Sequence, residues 1–209
     1  GGAASSATLL PALAALLEEA GRTWADVDAI GFGSGPGAFT GLRTACSVAQ
    51  GLALGLGRPV LVLDTLMAVA EDARQAHPAA WAPGDVLWVL QDARMDELYV
   101  GAFEWTGQRW TPRQPPQLWP RDEPLRRWGP DAAALATPPR WAGNAGRAHP
   151  EALAALLPAE QPGANAGTEP VEAVPAAPRG AALAALARQA WAHGETADAA
   201  LALPRYVRD

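Results

Sequence analysis

The sequence predicts an α/β protein in which strands and helices alternate. Three stretches carry that expectation. A strand, a glycine-rich corner and a helix follow one another over residues 27–56; "PVLVLD" then opens a second strand and helix; and "DVLWVLQDARMDELYVGAFEW" holds two more strands around a polar bend. Alternation of this kind produces sheets flanked by helices.

The elements follow from local pattern. Leu9, Leu10, Leu13, Leu16 and Leu17 recur at helical spacing until Gly21, which predicts a first helix over residues 8–20 with Thr8 as cap and Pro11 in its first turn. "VDAIGFG" predicts a short buried strand. In the helix after it, expected over residues 41–56 with Thr40 as cap, Leu42, Ala45, Ala49, Leu52 and Leu56 share one face. Gly41, Ala45, Gly51 and Gly55 keep much of that helix thin, so another backbone can come close. "PVLVLD" is apolar throughout, as a strand covered on both faces should be, and Asp64 or Thr65 can cap "LMAVAEDARQA". Residues 86–91 and 98–105 read as two strands with apolar residues on both faces, which places them inside a sheet.

Beyond Trp105 the texture changes, and prolines crowd residues 112–140. The expected division is an N-terminal lobe of residues 1–105 and a smaller, looser lobe of residues 106–209. The second lobe should contain a short helix near "PLRRW", a strand in "RWAGNAG" ending in a glycine turn, and a short helix at "PEALAALL". A Pro/Ala/Gly connection over residues 158–178 then leads to a final helix, "GAALAALARQAWAHG", free to pack back on the first lobe. Most tryptophans fall in the second half and are expected to pack that lobe.

Composition narrows the function. At 49% hydrophobic residues, a chain of 209 can bury a real core, and neither a membrane span nor a leader is visible, so the expected location is the cytoplasm. The single cysteine, Cys46, excludes an internal disulfide framework. A formal charge of −6 argues against this chain alone gripping a polyanion, so work on RNA would need a partner. All 16 basic residues are arginine. Without lysine there is no P-loop lysine, no Schiff base and no Ser-Lys dyad.

The glycine stretch "GFGSGPGAFTGLR" admits several readings. A Walker loop fails, because it must end in lysine and Ser or Thr. Gly33, Gly35 and Ala38 satisfy a relaxed G-x-G-x-x-A dinucleotide pattern, with Asp64 ending the next strand as a possible ribose-binding acid. Against it, "FTG" predicts a helix that starts too late to offer its N-terminus to a pyrophosphate. The bland reading is a sharp strand-to-helix corner. Ser34 lacks the flanking glycines of a nucleophile elbow, and Cys46 reads as a buried inert thiol. His77, His149 and His193 are scattered and form no zinc-binding pair. Asp92, Arg94, Asp96 and Glu97 share one bend, where an Asx-type turn with an Asp92–Arg94 ion pair competes with metal binding or base chemistry.

Taken together, "GSGPGAFTGLRTACSVAQGLALGLGRPVLVLDTL", "QDARMDELYVGAFEW" and the ending "LPRYVR" resemble the bacterial TsaB (YeaZ) family, over the whole chain with gaps. The signature loop is Gly35, Pro36, Gly37, Phe39, Thr40, Gly41 and Arg43; the signature turn is Asp92, Ala93 and Arg94, followed by Tyr99. The resemblance implies a two-lobed actin-like (ASKHA, ribonuclease H-like) fold with mixed sheets flanked by helices. It also implies an opening strand-turn-strand that this chain lacks: either an N-terminal segment precedes Gly1, the favoured expectation, or the sheet is completed another way. The implied role is in making threonylcarbamoyladenosine beside the tRNA anticodon, as the non-catalytic scaffold partner of TsaD. The ATPase TsaE joins that complex, a homodimer forms when the protein is alone, and tRNA is touched only indirectly. No catalytic residue, metal or cofactor is implied. The implied partner surface lies on the first two helices, at Leu9, Leu10, Leu13, Leu17, Leu42, Ala45, Ala49, Gly51 and Leu52. The competing expectations are a glycoprotease-like metal-dependent hydrolase, an ATP-binding member of the same fold, and a dinucleotide-binding domain.

Overall fold

The computed structural model describes residues 3–129, 139–156 and 173–207. The chain divides into two units, one of Gly1–Thr65 with Leu183–Tyr206 and one of Leu66–Ala182 with Val207–Asp209. The boundary expected after Trp105 lies between two hydrogen-bonded strands of the second unit.

The first unit holds α1 (Ala3–Glu19), β1 (Ile30–Gly35), α2 (Phe39–Leu56) and β2 (Val60–Asp64). The strands pair in parallel, Ile30 opposite Val60, which a strand-helix-strand crossover requires. α1 begins at Ala3, before the expected cap Thr8, so Pro11 lies inside the helix and not in its first turn. Without an N–H, Pro11 cannot donate to the carbonyl four residues earlier. α2 stops at Gly57, whose φ of 62° is left-handed and whose N–H turns back to Ala53 and Leu54. Its buried stripe is Leu42, Cys46, Ala49 and Ala53, of which the last three pack with Phe32, Val60 and Ala202. That stripe keeps Leu42 and Ala49 of the expected Leu42, Ala45, Ala49, Leu52 and Leu56 face and takes Cys46 and Ala53 in place of the others, because small side chains fit close against the strands.

The second unit is built on a five-stranded sheet. α3 (Thr65–Ala76) leads to β3 (Val86–Arg94) and β4 (Glu97–Trp105), which pair antiparallel. β5 (Trp110–Pro120) adds to β4, and α4 (Glu123–Trp128) follows. β6 (Trp141–Ala142) pairs with the other side of β3. α5 (Ala145–Ala148), α6 (Pro150–Leu153) and β7 (Ala173–Val174) complete this unit, and α7 (Gly180–Ala192) belongs from Leu183 onward to the first unit. The strand order is β5-β4-β3-β6-β7, so the two strands that are apolar on both faces occupy the interior.

β5 is a strand that the proline-crowded stretch after Trp105 did not predict. Pro112, Pro115, Pro116 and Pro120 all sit in a strand, and that strand is the edge of the sheet. Proline cannot donate to a ladder, but an edge strand needs donors on one side only. The expected connection over residues 158–178 lies outside the described residues up to 172; residues 173–174 then form β7.

Alternation along β3 sends side chains to opposite faces. Leu87 and Val89 join Leu66, Val69, Ala70 and Ala73 of α3 with Phe103, Trp105 and Trp110. Leu90 joins Leu98, Val100, Trp119, Trp128, Leu153 and Leu156 on the other face. Tryptophans anchor both clusters: Trp88 and Trp128 meet edge-on at 5.0 Å, as do Trp81 and Trp110 at 5.3 Å. Each such pair adds about 1 kcal/mol to the burial of the rings.

Candidate functional site

The signature loop is held by the unit's own backbone. β1 ends at Gly35, with φ of 114° and a cis bond to Pro36. The Gly35 N–H donates to Thr65 Oγ1 at 3.0 Å, and the buried Ser34 hydroxyl donates to the Leu63 carbonyl at 3.0 Å. Ser34 is 2% exposed, so its oxygen is committed to structure and unavailable to a substrate. The Ser34 carbonyl accepts from the Arg205 N–H at 2.6 Å. The C-terminal segment at Arg205 therefore lies against the loop.

Two further contacts fasten that segment. Arg205 pairs with Asp64 at 2.7 Å, and Arg43 Nε donates to the Tyr206 hydroxyl at 3.1 Å. The Tyr206 ring stands 5.1 Å from Phe39, and the Arg43 guanidinium carbon lies 3.8 Å from the centre of the Phe39 ring. Asp64, the acid that a dinucleotide reading would give to a ribose, is engaged by Arg205 instead. Thr65, one of the two residues expected to cap α3, uses its Oγ1 to accept from the Gly35 N–H.

Thr40 is not the cap of α2. The helix starts at Phe39, its boundary residue is Ala38 without a side-chain bond, and the first turn closes from Leu42 N–H to the Ala38 carbonyl at 3.0 Å. Thr40 is thus inside the first turn and exposed. Its neighbour Gly41 has open space where a side chain would stand.

Leu9, Leu13 and Leu17 of α1 and Ala45, Ala49 and Leu52 of α2 line one apolar groove of about 460 Å3 beside Gly31, Phe32 and Gly33 of β1. Leu42 is buried under the signature loop, within reach of Gly35 and Gly37, and Ala49 is also buried. These two support the helix from within. Leu10, 45% exposed, and Gly51 look outward. Cys46 is buried and its thiol lies 3.2 Å from the Ala202 carbonyl. Burial pushes that thiol up from its ordinary pKa, which suppresses thiolate. Cys46 should therefore resist a disulfide reagent at mildly alkaline pH in the folded protein and react fully once denatured; rapid labelling of the native chain would contradict this burial.

In the second unit the signature turn joins β3 to β4. Arg94, Met95 and Asp96 all have positive φ, of 65°, 55° and 60°. Asp92 Oδ1 accepts from the Arg94 N–H at 3.0 Å, the Asx-type bond expected of the bend, and Arg94 stands 3.6 Å from the other carboxylate oxygen. Ala93 is buried, and Tyr99 packs against the α3 face of the sheet. His149 was not legible as part of this turn. It lies far along the chain, yet its Nε2 is 3.2 Å from Asp92 Oδ1, while Asn144 Oδ1 accepts from the Asp92 N–H at 2.7 Å. Among the described residues, no group of three or more His, Cys, Asp or Glu side chains could hold a metal ion, and no helix is long and apolar enough to cross a membrane.

Within the first unit, the geometry ties the signature loop to Arg205 and Tyr206 of the chain's ending. The family model described as "TsaD: tRNA N6-adenosine threonylcarbamoyltransferase" matches residues 2–119. YeaZ from Pseudomonas aeruginosa superposes with a TM-score of 0.72 at 36% identity, covering 97% of this chain and 84% of that one. The chain belongs to the TsaB (YeaZ) family. It shares the mixed α/β fold of the actin-like, glycoprotease-related superfamily that contains YeaZ. Among curated relatives, the tRNA threonylcarbamoyladenosine biosynthesis protein TsaB of Escherichia coli (strain K12) is 37% identical over 98 residues, 46% of this chain and 39% of that protein. The protein of the same name from Haemophilus influenzae is 41% identical over 91 residues, 44% of this chain and 36% of that protein. The matched stretch thus spans less than half of either curated relative.

Proposed function

We propose that this TsaB-family chain takes part in threonylcarbamoyladenosine modification of tRNA, as a non-catalytic scaffold that binds the threonylcarbamoyltransferase TsaD. The observation that supports a scaffold best is the use made of the signature loop. Its polar groups bind Thr65, Leu63 and Arg205 of the same unit, and the backbone of Arg205 lies where a ligand would approach Gly35. The cytoplasm is the corresponding location, TsaE the further partner, self-pairing the state in isolation, and tRNA contact indirect.

The partner surface in this reading is the α1 and α2 side of the first unit, around Leu9, Leu10, Leu13, Leu17, Ala45, Gly51 and Leu52, with Leu42 and Ala49 supporting it from beneath. Gly51 is the cleanest probe, because it is exposed and nothing lies within 4 Å of an added side chain. Gly51→Arg should leave the circular dichroism spectrum unchanged and weaken TsaD binding by roughly 100-fold, since a bulky cation then stands at a close helix contact. Size-exclusion chromatography of the full-length protein with TsaD tests the reading itself: separate elution would sink it. Stoichiometric metal, or micromolar ATP bound by the isolated chain, would favour the hydrolase or nucleotide-binding alternative.

A further inference from the structure

Arg43 stands apart from its neighbouring cation. Arg205 is neutralised by Asp64, whereas Arg43 has no carboxylate partner among the described residues. Its Nε is taken by the Tyr206 hydroxyl, which leaves the two terminal nitrogens and their N–H groups pointing away in the plane of the guanidinium. That plane is braced by the Phe39 ring at 3.8 Å and by Tyr206 at 5.9 Å. Phe39 and Arg43 are one helical turn apart on α2, so the helix itself sets their register. Both rings remain open to solvent, Phe39 at 53% and Tyr206 at 45%.

A braced arginine of this kind loses little freedom when it meets an oxyanion, and its fork matches two oxygens at once. Exposed aromatic side chains around an arginine are also the composition of binding hot spots between proteins. Charge decides between the two sources of an oxyanion. A nucleic-acid surface needs several unpaired cations in a row, but the adjacent Arg205 is already paired and the chain carries a formal charge of −6.

We propose that Phe39, Arg43 and Tyr206 form an anchor for an acidic side chain, Asp or Glu, of the protein that docks on the first unit. Arg43 receives the carboxylate bidentately, and the two rings shield the pair from water. The C-terminal segment is then part of the docking surface, since it supplies the ring and the hydroxyl that aim the fork. The anchor rests on the reading that this unit binds TsaD through α2.

Titration calorimetry of the full-length protein with TsaD from the same organism tests it. Wild-type protein should bind, Arg43→Gln should bind about 10–100-fold more weakly with an unchanged dichroism spectrum and a melting point lowered by only a few degrees, and added salt should narrow the gap. Arg43→Lys should recover little, because an ammonium is a point charge without the fork. Tyr206→Phe, which keeps the ring and removes only the hydroxyl, should cost a few-fold by the same logic. Wild-type affinity in Arg43→Gln and Tyr206→Phe would overturn the anchor while leaving the docking reading intact. Absence of wild-type binding would overturn both. If Arg43→Gln left TsaD binding untouched and lowered the affinity of the assembled complex for total tRNA, the fork would hold phosphate, and the protein anchor would be wrong.

Discussion

Gly35→Ala should lower stability by about 3 kcal/mol, the sum of a strained backbone and a displaced contact. The residue's φ is 114°, a region that L side chains rarely adopt, and an added Cβ would stand 2.6 Å from the Arg205 carbonyl oxygen and 3.0 Å from Leu42. The oxygen belongs to backbone and cannot rotate away, so the C-terminal segment must lift. That movement takes with it the Arg205 N–H bond to Ser34, the Arg205–Asp64 pair and the Tyr206–Arg43 bond. For a chain of this length the melting midpoint should fall by roughly 6–12 °C, and the "LPRYVR" segment should become an early site of limited proteolysis. The other loop glycines provide the contrast. Gly37→Ala meets Leu42 at an ordinary 3.7 Å and should be close to neutral. Gly41→Ala, inside α2 with nothing within 4 Å, should raise stability by about 0.5–1 kcal/mol, because alanine favours a helix. A Gly35→Ala protein as stable as wild type would show that the C-terminal segment does not press on the loop.

Glu71→Ala should have an effect of similar or greater size, about 3–5 kcal/mol. Glu71 is fully buried in α3, yet its carboxylate accepts two bonds from Arg74 at 2.8 Å, one from Gln75 at 2.9 Å and one from the Trp110 indole at 3.1 Å. With four donors around it, the charge is well satisfied, and truncation would leave all four without their acceptor. The released arginine is only partly exposed and lies 4.6 Å over the Trp105 ring. Its bond to Glu71 raises the Arg74 pKa above the ordinary value. Stability gained from that shift is fully present below the unfolded pKa and disappears only as pH rises through the folded one, so it does not change between neutral pH and mild alkali while the Glu71 carboxylate is ionised. The cost should be read by chemical denaturation at neutral pH. Glu71→Leu combined with Arg74→Met should recover much of it, because replacing both partners removes the uncompensated charge. A double variant as unstable as Glu71→Ala would mean that packing, and not the lost ion pair, sets the cost.

The strands and helices that a single sequence could reveal are those whose local pattern agrees with their place in the fold. "PVLVLD" is apolar throughout and lies in a parallel sheet; β3 and β4 are apolar on both faces and lie in a sheet interior. β5 escaped because its prolines argue against a strand until the sheet order shows that it is an edge. Thr40 is a good capping residue in isolation, but the corner after Pro36 lets the helix begin earlier, at Phe39. The buried stripe of α2 keeps Leu42 and Ala49 of the expected face but takes Ala53 in place of Leu52, since what fits between helix and strand depends on the volume left by Phe32 and Val60.

Residue order alone was enough for the α/β class, for the signature loop and turn, and for the exclusion of lysine chemistry, because periodicity and residue type are local properties. It could not show that Arg205 and Tyr206 close over a loop more than 160 positions earlier, as the Arg43–Tyr206 separation of 163 illustrates, or that His149 reaches Asp92 across 57. Those meetings leave no trace in spacing. They arise when packing of the strands and helices brings distant side chains within hydrogen-bond reach, and only then does the glycine loop become a closed corner and its arginine an aimed fork.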